Sequence, residues 1–310
     1  MPTLSQTQLL ARVGITLFER GWLSANNVLI RGTTGPSALV DSGYCSHAEQ
    51  TLALVRGALG AQPLDLLLNT HLHSDHCGGN AALQQHYSSL RTLIPPGQAA
   101  HVATWNPEAL SYAATGQECP RFDVDGLLQP GDRLRLGDWN WEVHGAKGHD
   151  PHSIVLYQRD HSVLLSADAL WQNGFGVVFP ELEGVSAFME VGDTLDLIEA
   201  LSPRVVIPGH GSAFSDVTSA LEKSRSRLAR FQQAPDAHLR HALKVLIKFR
   251  LLDWQRVGRE QLLLWALNTP YLRRHMPSDE TQCREWLDHL LNELMESRAL
   301  YFDKDTVVNC

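Results

Sequence analysis

Thr70-His71-Leu72-His73-Ser74-Asp75-His76-Cys77-Gly78-Gly79 is the stretch on which the reading of this chain turns. Before it runs Asp65-Leu66-Leu67-Leu68-Asn69-Thr70, a short apolar segment that reads as a buried strand. After it, the Gly-Gly step is expected to open a helix over about 81–90, with Asn80 as N-cap. Three histidines and one aspartate fall within six residues. In extended backbone His71 and His73, two apart, point to one side and can meet one ion. Asp75 and His76 need a turn to converge, which the segment before Gly78-Gly79 can supply. Imidazole and carboxylate suit zinc, iron or manganese better than calcium or magnesium.

Working outward, three more residues share one topological feature with His71: each follows a buried strand. His149 comes just after the alternating strand Trp139–His144, Asp168 ends Val163–Ala167, and His210 ends Val205–Gly209. A strand-end aspartate or a Pro-Gly-His-Gly segment alone is an ordinary turn. Strand ends at one edge of a sheet can converge, however, and rigid elements hold ligands accurately. With the first cluster they complete seven ligands, enough for two metal ions and one bridging carboxylate.

The rest of the chain sets the frame. Its 310 residues are 44% hydrophobic and 19% charged, ordinary for a folded soluble protein and unlike a disordered one. No apolar run approaches the ~20 residues that span a bilayer. Strands are expected over 13–18, 27–30, 38–41, 153–157, 162–166 and 204–207, and helices over 47–58, 186–201 and 216–232. Gln232-Gln233-Ala234-Pro235-Asp236 reads as a linker. Three helical stretches then follow over 238–298, and a small hairpin over 300–308. The expected division is 1–232 for a main domain and 233–310 for a C-terminal one. Residues 235–310 hold 11 basic and 11 acidic residues, so the whole formal charge of −8 sits before them. That field argues against nucleic acid as a partner. Five cysteines, an odd count with none two apart, fit free thiols in a reducing cytoplasm. The first residues carry no basic and apolar leader pattern. Cys77 reads as a small buried neighbour of the histidines, and no phosphate-binding loop or Gly-x-Ser-x-Gly elbow is present.

These motifs, in this order, resemble those of the metallo-β-lactamase superfamily. The His-x-His-x-Asp-His motif matches 71–76, the later Gly-His matches 148–149, the bridging aspartate matches Asp168, and Pro-Gly-His-Gly matches 208–211. The resemblance covers about 13–215. It implies an α+β fold, a four-layer αββα sandwich, followed here by a smaller, mainly helical or winged-helix-like domain. It also implies that His71, His73 and His149 hold one metal, that Asp75, His76 and His210 hold a second, and that Asp168 bridges. An aspartate at 168 resembles glyoxalase II, lactonases and related thioesterases rather than true β-lactamases.

The activity expected from that resemblance is hydrolysis. Two divalent transition-metal ions, zinc foremost with iron or manganese as alternatives, share a hydroxide that attacks an ester, thioester or lactone carbonyl. Asp75 would also orient the water or carry a proton. An iron-dependent sulfur dioxygenase, a ribonuclease-like phosphodiesterase and a metal-retaining sensor stay open as alternatives. The partner expected is a small molecule, with neither membrane nor nucleic acid, and a homodimer is left open. The segment from Trp171 to Phe179, with Phe188, is a candidate pocket wall, and Lys147 a candidate anion contact. Leu246, Phe249, Leu252 and Trp254 read as core.

Overall fold

The computed structural model describes residues 5–310. Helix α1 (Gln6–Val13) starts on a reciprocal capping box between Ser5 and Gln8 and stops at Gly14, whose φ of 81° lies in the left-handed region. Next come β1 (Ile15–Phe18), β2 (Asn27–Ile30), β3 (Ala38–Val40), α2 (Ala48–Leu59), β4 (Leu66–Leu68), α3 (Ser74–Cys77) and α4 (Asn80–His86). They are followed by β5 (Arg91–Ile94), α5 (Ala99–Thr104), α6 (Tyr112–Thr115) and β6 (Gly126–Leu127). These strands form one sheet in the order β1-β2-β3-β4-β5-β6. Pairing is antiparallel from β1 to β3 and parallel from β3 to β6. Parallel neighbours require crossovers, which α2 and the α3–α4 pair supply.

The second sheet is built from β7 (Arg133–Leu136), β8 (Trp139–Gly145), β9 (Ile154–Gln158) and β10 (Val163–Ala167). After α7 (Phe179–Leu182) and α8 (Phe188–Leu201), β11 (Val205–Pro208) completes it in the order β11-β10-β9-β8-β7. β9 is antiparallel to both β8 and β10, and β10 is parallel to β11. Hence β8, β10 and β11 all end at the same edge.

Adjacent residues of the strands face opposite layers. Val28, Ile30, Val40 and Leu68 of the first sheet meet Trp141, Val143, Leu156, Leu165 and Ile207 of the second. Their neighbours Leu29, Leu39 and Leu67 face outward onto Val55 and Leu59 of α2 and Leu83 of α4. Val155, Leu164 and Val206 face Leu195 and Ile198 of α8 and a further helix, α9 (Val217–Gln233), through Leu221. The inner strands of both sheets are therefore covered on both faces, which is why β3, β4 and β9–β11 read as apolar runs, whereas β7 and β8 alternate. The result is a four-layer αββα sandwich.

The chain continues as α10 (Pro235–Trp254), β12 (Arg256–Gly258), α11 (Arg259–Leu267), α12 (Pro270–Arg273), α13 (Glu280–Glu296), β13 (Leu300–Asp303) and β14 (Thr306–Asn309). Its strands form a small sheet in the order β12-β14-β13. Leu246 and Ile247 of α10, Leu262 of α11 and Leu290 of α13 share one core, which Val177 and Leu182 join from the sandwich side.

Some local expectations are corrected. Val13 ends a helix rather than opening a strand. Asn80 is the first residue of α4, not its cap, because its side chain is committed to Asn69 and Ser42. The expected linker is a junction of one residue, Ala234, since Pro235 can start a helix without a missing donor being felt. The C-terminal region holds four helices rather than three. Among the described residues no helix is long and apolar enough to cross a membrane.

Trp141 is fully buried between the sheets. Trp141→Ala is expected to cost about 3–5 kcal/mol, read as a lowered urea midpoint at unchanged slope. A loss below about 1 kcal/mol would contradict the packing described.

Candidate metal centre

The loops after β3, β4, β8, β10 and β11 meet at one sandwich edge, at the carboxyl ends of their strands. The loop after β4 is anchored first. Asp41, just beyond β3 and at φ 58°, accepts the Thr70 N–H at 2.9 Å through Oδ1 and the Thr70 hydroxyl at 2.9 Å through Oδ2. Its Oδ2 also accepts from His76 Nδ1 at 2.7 Å. One carboxylate thus fixes the loop entry and aims a histidine beyond the extended segment.

His71, His73 and His149 bring three ring nitrogens into a triangle. His71 Nε2 lies 3.0 Å from His73 Nδ1, His73 Nδ1 lies 2.8 Å from His149 Nε2, and His149 Nε2 lies 3.2 Å from His71 Nε2. His149 donates its Nδ1–H to the Val177 carbonyl at 2.6 Å, so its Nε2 presents a bare lone pair. Beside this triangle, His76 Nε2 lies 3.6 Å from Asp168 Oδ1 and 3.7 Å from Asp75 Oδ2. His210 Nε2 lies 3.1 Å from Asp75 Oδ2 and 3.8 Å from Asp168 Oδ2. Asp168 Oδ2 is also 3.4 Å from His149 Nε2, so this carboxylate touches both groups.

Burial holds His71 well below the usual imidazole range, helped by the neighbouring rings of His76, His73 and His149. Burial and His149 likewise take His73 down to about 4. For Asp168, burial works against ionisation, but His210 and His76 outweigh it and hold the carboxyl well below its ordinary value. Asp75 is lowered too, with His76 and His210 overcoming its burial. For His76, burial is overcome by Asp41, Asp75 and Asp168, which raise it. The site thus sets the neutral rings of His71 and His73 beside the ionised carboxylates of Asp75 and Asp168, which draw His76 toward its charged form.

A divalent cation fits this donor set. Hydrogen bonds cannot satisfy three converging lone pairs, whereas tetrahedral ligands at ~2.0–2.1 Å from one ion stand roughly 3.3 Å apart. His76 Nε2 is buried and has no hydrogen-bond partner. Gly209 keeps the approach open, since a Cβ there would stand 2.2 Å from Asp168 Oδ1. Residues fall into three mutually close sets: His71 with His73 and His149, His71 with His76 and Asp168, and Asp75 with His76 and His210. All seven residues singled out in the sequence meet here.

The centre opens into a cavity of about 620 Å³. Trp22 stacks on His210 with ring centroids 5.3 Å apart, and Trp171 stands edge-on to both. Phe179 lies 4.6 Å from the His73 ring. Phe249 and Leu252 of α10 line the cavity rather than lying wholly in the core. Of the expected wall, Trp171, Gly176, Val177 and Phe179 face the cavity, whereas Phe175, Val178 and Phe188 are core. Lys147 is exposed and does not line the cavity. His152 sits in a turn against Gly97, and half-buried His144 lies by Glu142. Cys77 is buried, its Sγ 3.2 Å from the Tyr112 hydroxyl and 3.8 Å from Cys119 Sγ. Sequence reasoning passed over Asp41, Asp150 and Trp22. Buried Asp150 stands 3.8 Å from His73 Nε2. A carboxylate closing an apolar strand was the one available sign of Asp41.

Two variants test this construction. Asp41→Asn keeps the size and tolerates the backbone, but it is expected to lower metal affinity about 10–100-fold, read by metal analysis after dialysis against graded chelator. Gly209→Ala is expected to lose metal with the fold retained by circular dichroism. Full metal content in both variants would refute the geometry.

The sequence profile of the metallo-beta-lactamase superfamily matches residues 20–210. Over 205 residues the chain is 27% identical to the acyl-coenzyme A thioesterase MBLAC2 of Gallus gallus, spanning 61% of this chain and 73% of that one. Over 225 residues it is 26% identical to the hydroxyacylglutathione hydrolase GloC of Haemophilus influenzae, spanning 64% and 89%. A solved metallo-beta-lactamase family protein of Thermus thermophilus superposes with a TM-score of 0.57 at 22% identity, over 96% of this chain and 99% of that one. Another protein, solved in a di-iron-bound form, superposes at 0.54 over 67% and 98%, with 24% identity. The matched span contains every residue of the centre and every strand of the two sheets except β1, and the chain belongs to the metallo-beta-lactamase superfamily.

Proposed function

We propose that this protein is a dinuclear metal-dependent hydrolase of acyl thioesters or related esters. The observation that carries the reading is the triangle of ring nitrogens beside two ionised carboxylates at the floor of a cavity with apolar walls. His71, His73 and His149 would hold one ion, Asp75, His76 and His210 the second, and Asp168 both. Bound there, divalent ions such as zinc lower the pKa of water from 15.7 toward ~7 and polarise a carbonyl. The names of two relatives, an acyl-coenzyme A thioesterase and a hydroxyacylglutathione hydrolase, support the thioester class.

The chain's own groups supply position and proton handling. Asp75 turns Oδ2 to His210, leaving Oδ1 to orient the attacking water and carry its proton toward the leaving group. Val177 O and Asp41 fix the tautomers and ring directions of His149 and His76. Trp22 and Trp171 wall the centre and limit bulk water, and Phe249 and Leu252 offer apolar surface to an acyl chain. We place the boundary between the catalytic part and the C-terminal part near residue 233.

Metal analysis joined to thioester assays tests this reading. The purified protein is expected to hold about two ions per chain and to cleave a simple acyl thioester. Asp168→Ala should release both ions, and His210→Ala mainly one. A protein that binds no transition metal, or regains no hydrolysis with zinc, manganese or iron, would overturn it.

A further inference from the structure

Arg227 of α9 lines the same cavity as the metal centre. Its guanidinium lies 5.3 Å from the ring centroids of both Phe175 and Phe231. Nη2 donates to His241 Nε2 at 2.7 Å, while Nε is buried without a hydrogen-bond partner. Among the described residues no carboxylate stands within ion-pair distance, and burial together with the like charge of Arg230 pushes the Arg227 guanidinium down to about 10. The two lysines that line the cavity, and Arg225 on the same helix, are engaged elsewhere. Arg225 pairs with Asp196 and Glu199, and Lys244 pairs with Glu293. Lys248 is spent on the Ala299 carbonyl and Asn309. A largely desolvated charge is costly unless an anion meets it.

The loop after β10 ties this guanidinium to the centre. Trp171 Nε1 donates to Asp168 Oδ1 at 3.2 Å, and the Trp171 N–H donates to the Gly174 carbonyl at 2.6 Å. Gly174 lies under Arg227: a Cβ there would stand 2.6 Å from Nη1, and its φ of +133° suits only glycine. One short loop therefore touches the bridging carboxylate at one end and the unmatched cation at the other. His241 acts as acceptor with a neutral ring, since burial and Arg227 push it down to about 3.

We infer that Arg227, steadied by His241 and seated on Gly174, anchors an anionic group of the substrate, a carboxylate or phosphate carried away from the scissile bond. The inference rests on the hydrolase reading for the word substrate alone, since the anchor itself is a binding site. It makes the enzyme selective for charged thioesters over neutral ones with the same acyl chain.

Uncleavable thioethers separate the two claims. S-octyl glutathione carries carboxylates, S-octyl coenzyme A carries phosphates, and S-octyl N-acetylcysteamine is neutral. Calorimetry with the metal-loaded protein is expected to show at least one charged thioether binding about 10-fold or more tighter than the neutral one. Arg227→Gln should erase that preference and leave the neutral thioether within about twofold. Which charged thioether loses affinity tells carboxylate from phosphate. If the Gln variant fails to fold, Arg227→Lys keeps the charge without the planar fork, and should weaken the charged thioether alone. Equal binding of all three by the parent, or equal weakening of all three in a folded variant, overturns the anchor. The matching thioesters report on hydrolysis: charge preference in binding with no cleavage would sink the hydrolase reading and leave the anchor standing.

Discussion

Three imidazole lone pairs and two ionised carboxylates share one buried corner, and the polypeptide holds them there although they gain little from one another. His71, His73 and His149 crowd their ring nitrogens within 3.2 Å. Such an arrangement is costly in a bare protein and favourable around cations. The rest of the fold can be understood as what keeps that corner assembled. The first sheet delivers residues 71–76, and the second delivers 149, 168 and 210. A cation held here would therefore join the two sheets, and its binding energy would become stability of the sandwich edge.

The site was more legible in the sequence than the surroundings that aim it. His71, His73, Asp75 and His76 announce themselves by local spacing, and His149, Asp168 and His210 by their place after apolar strands. The sandwich itself was legible through the family resemblance, and its strands through their apolar runs. Asp41 was not, because its role depends on β3 lying beside β4, a pairing that no local pattern encodes. The same holds for Arg227: a lone arginine on a charged helix looks solvated until the burial of its faces is known. Phe249 and Leu252 read as core because an apolar helical face looks the same against a cavity as against a packed neighbour.

The C-terminal part bears on the centre through backbone. Val177 gives its carbonyl to His149, and the next residue, Val178, gives its N–H to His238 of α10 at 3.1 Å. α10 thus buttresses the segment that orients His149, besides walling the cavity. The charge distribution gains a second level as well. The main part carries the formal excess of acid, yet its cavity contains an unmatched cation. Average charge governs long-range encounter, whereas a desolvated group decides what is held once inside.

Ala234, the single residue between helices of 17 and 20 residues, has a further consequence. Arg227 lies before this joint and His241 after it, so their meeting depends on the register of two rods turned about one residue. One residue added within the first turn of α10 would rotate the rest of that helix by about 100° relative to the joint. His241, Phe249 and Leu252 would all swing off the cavity while both sheets kept their pairing. A length change at this one corner would therefore reach both the far end of the cavity and, through His238 and Val178, the backbone that orients His149.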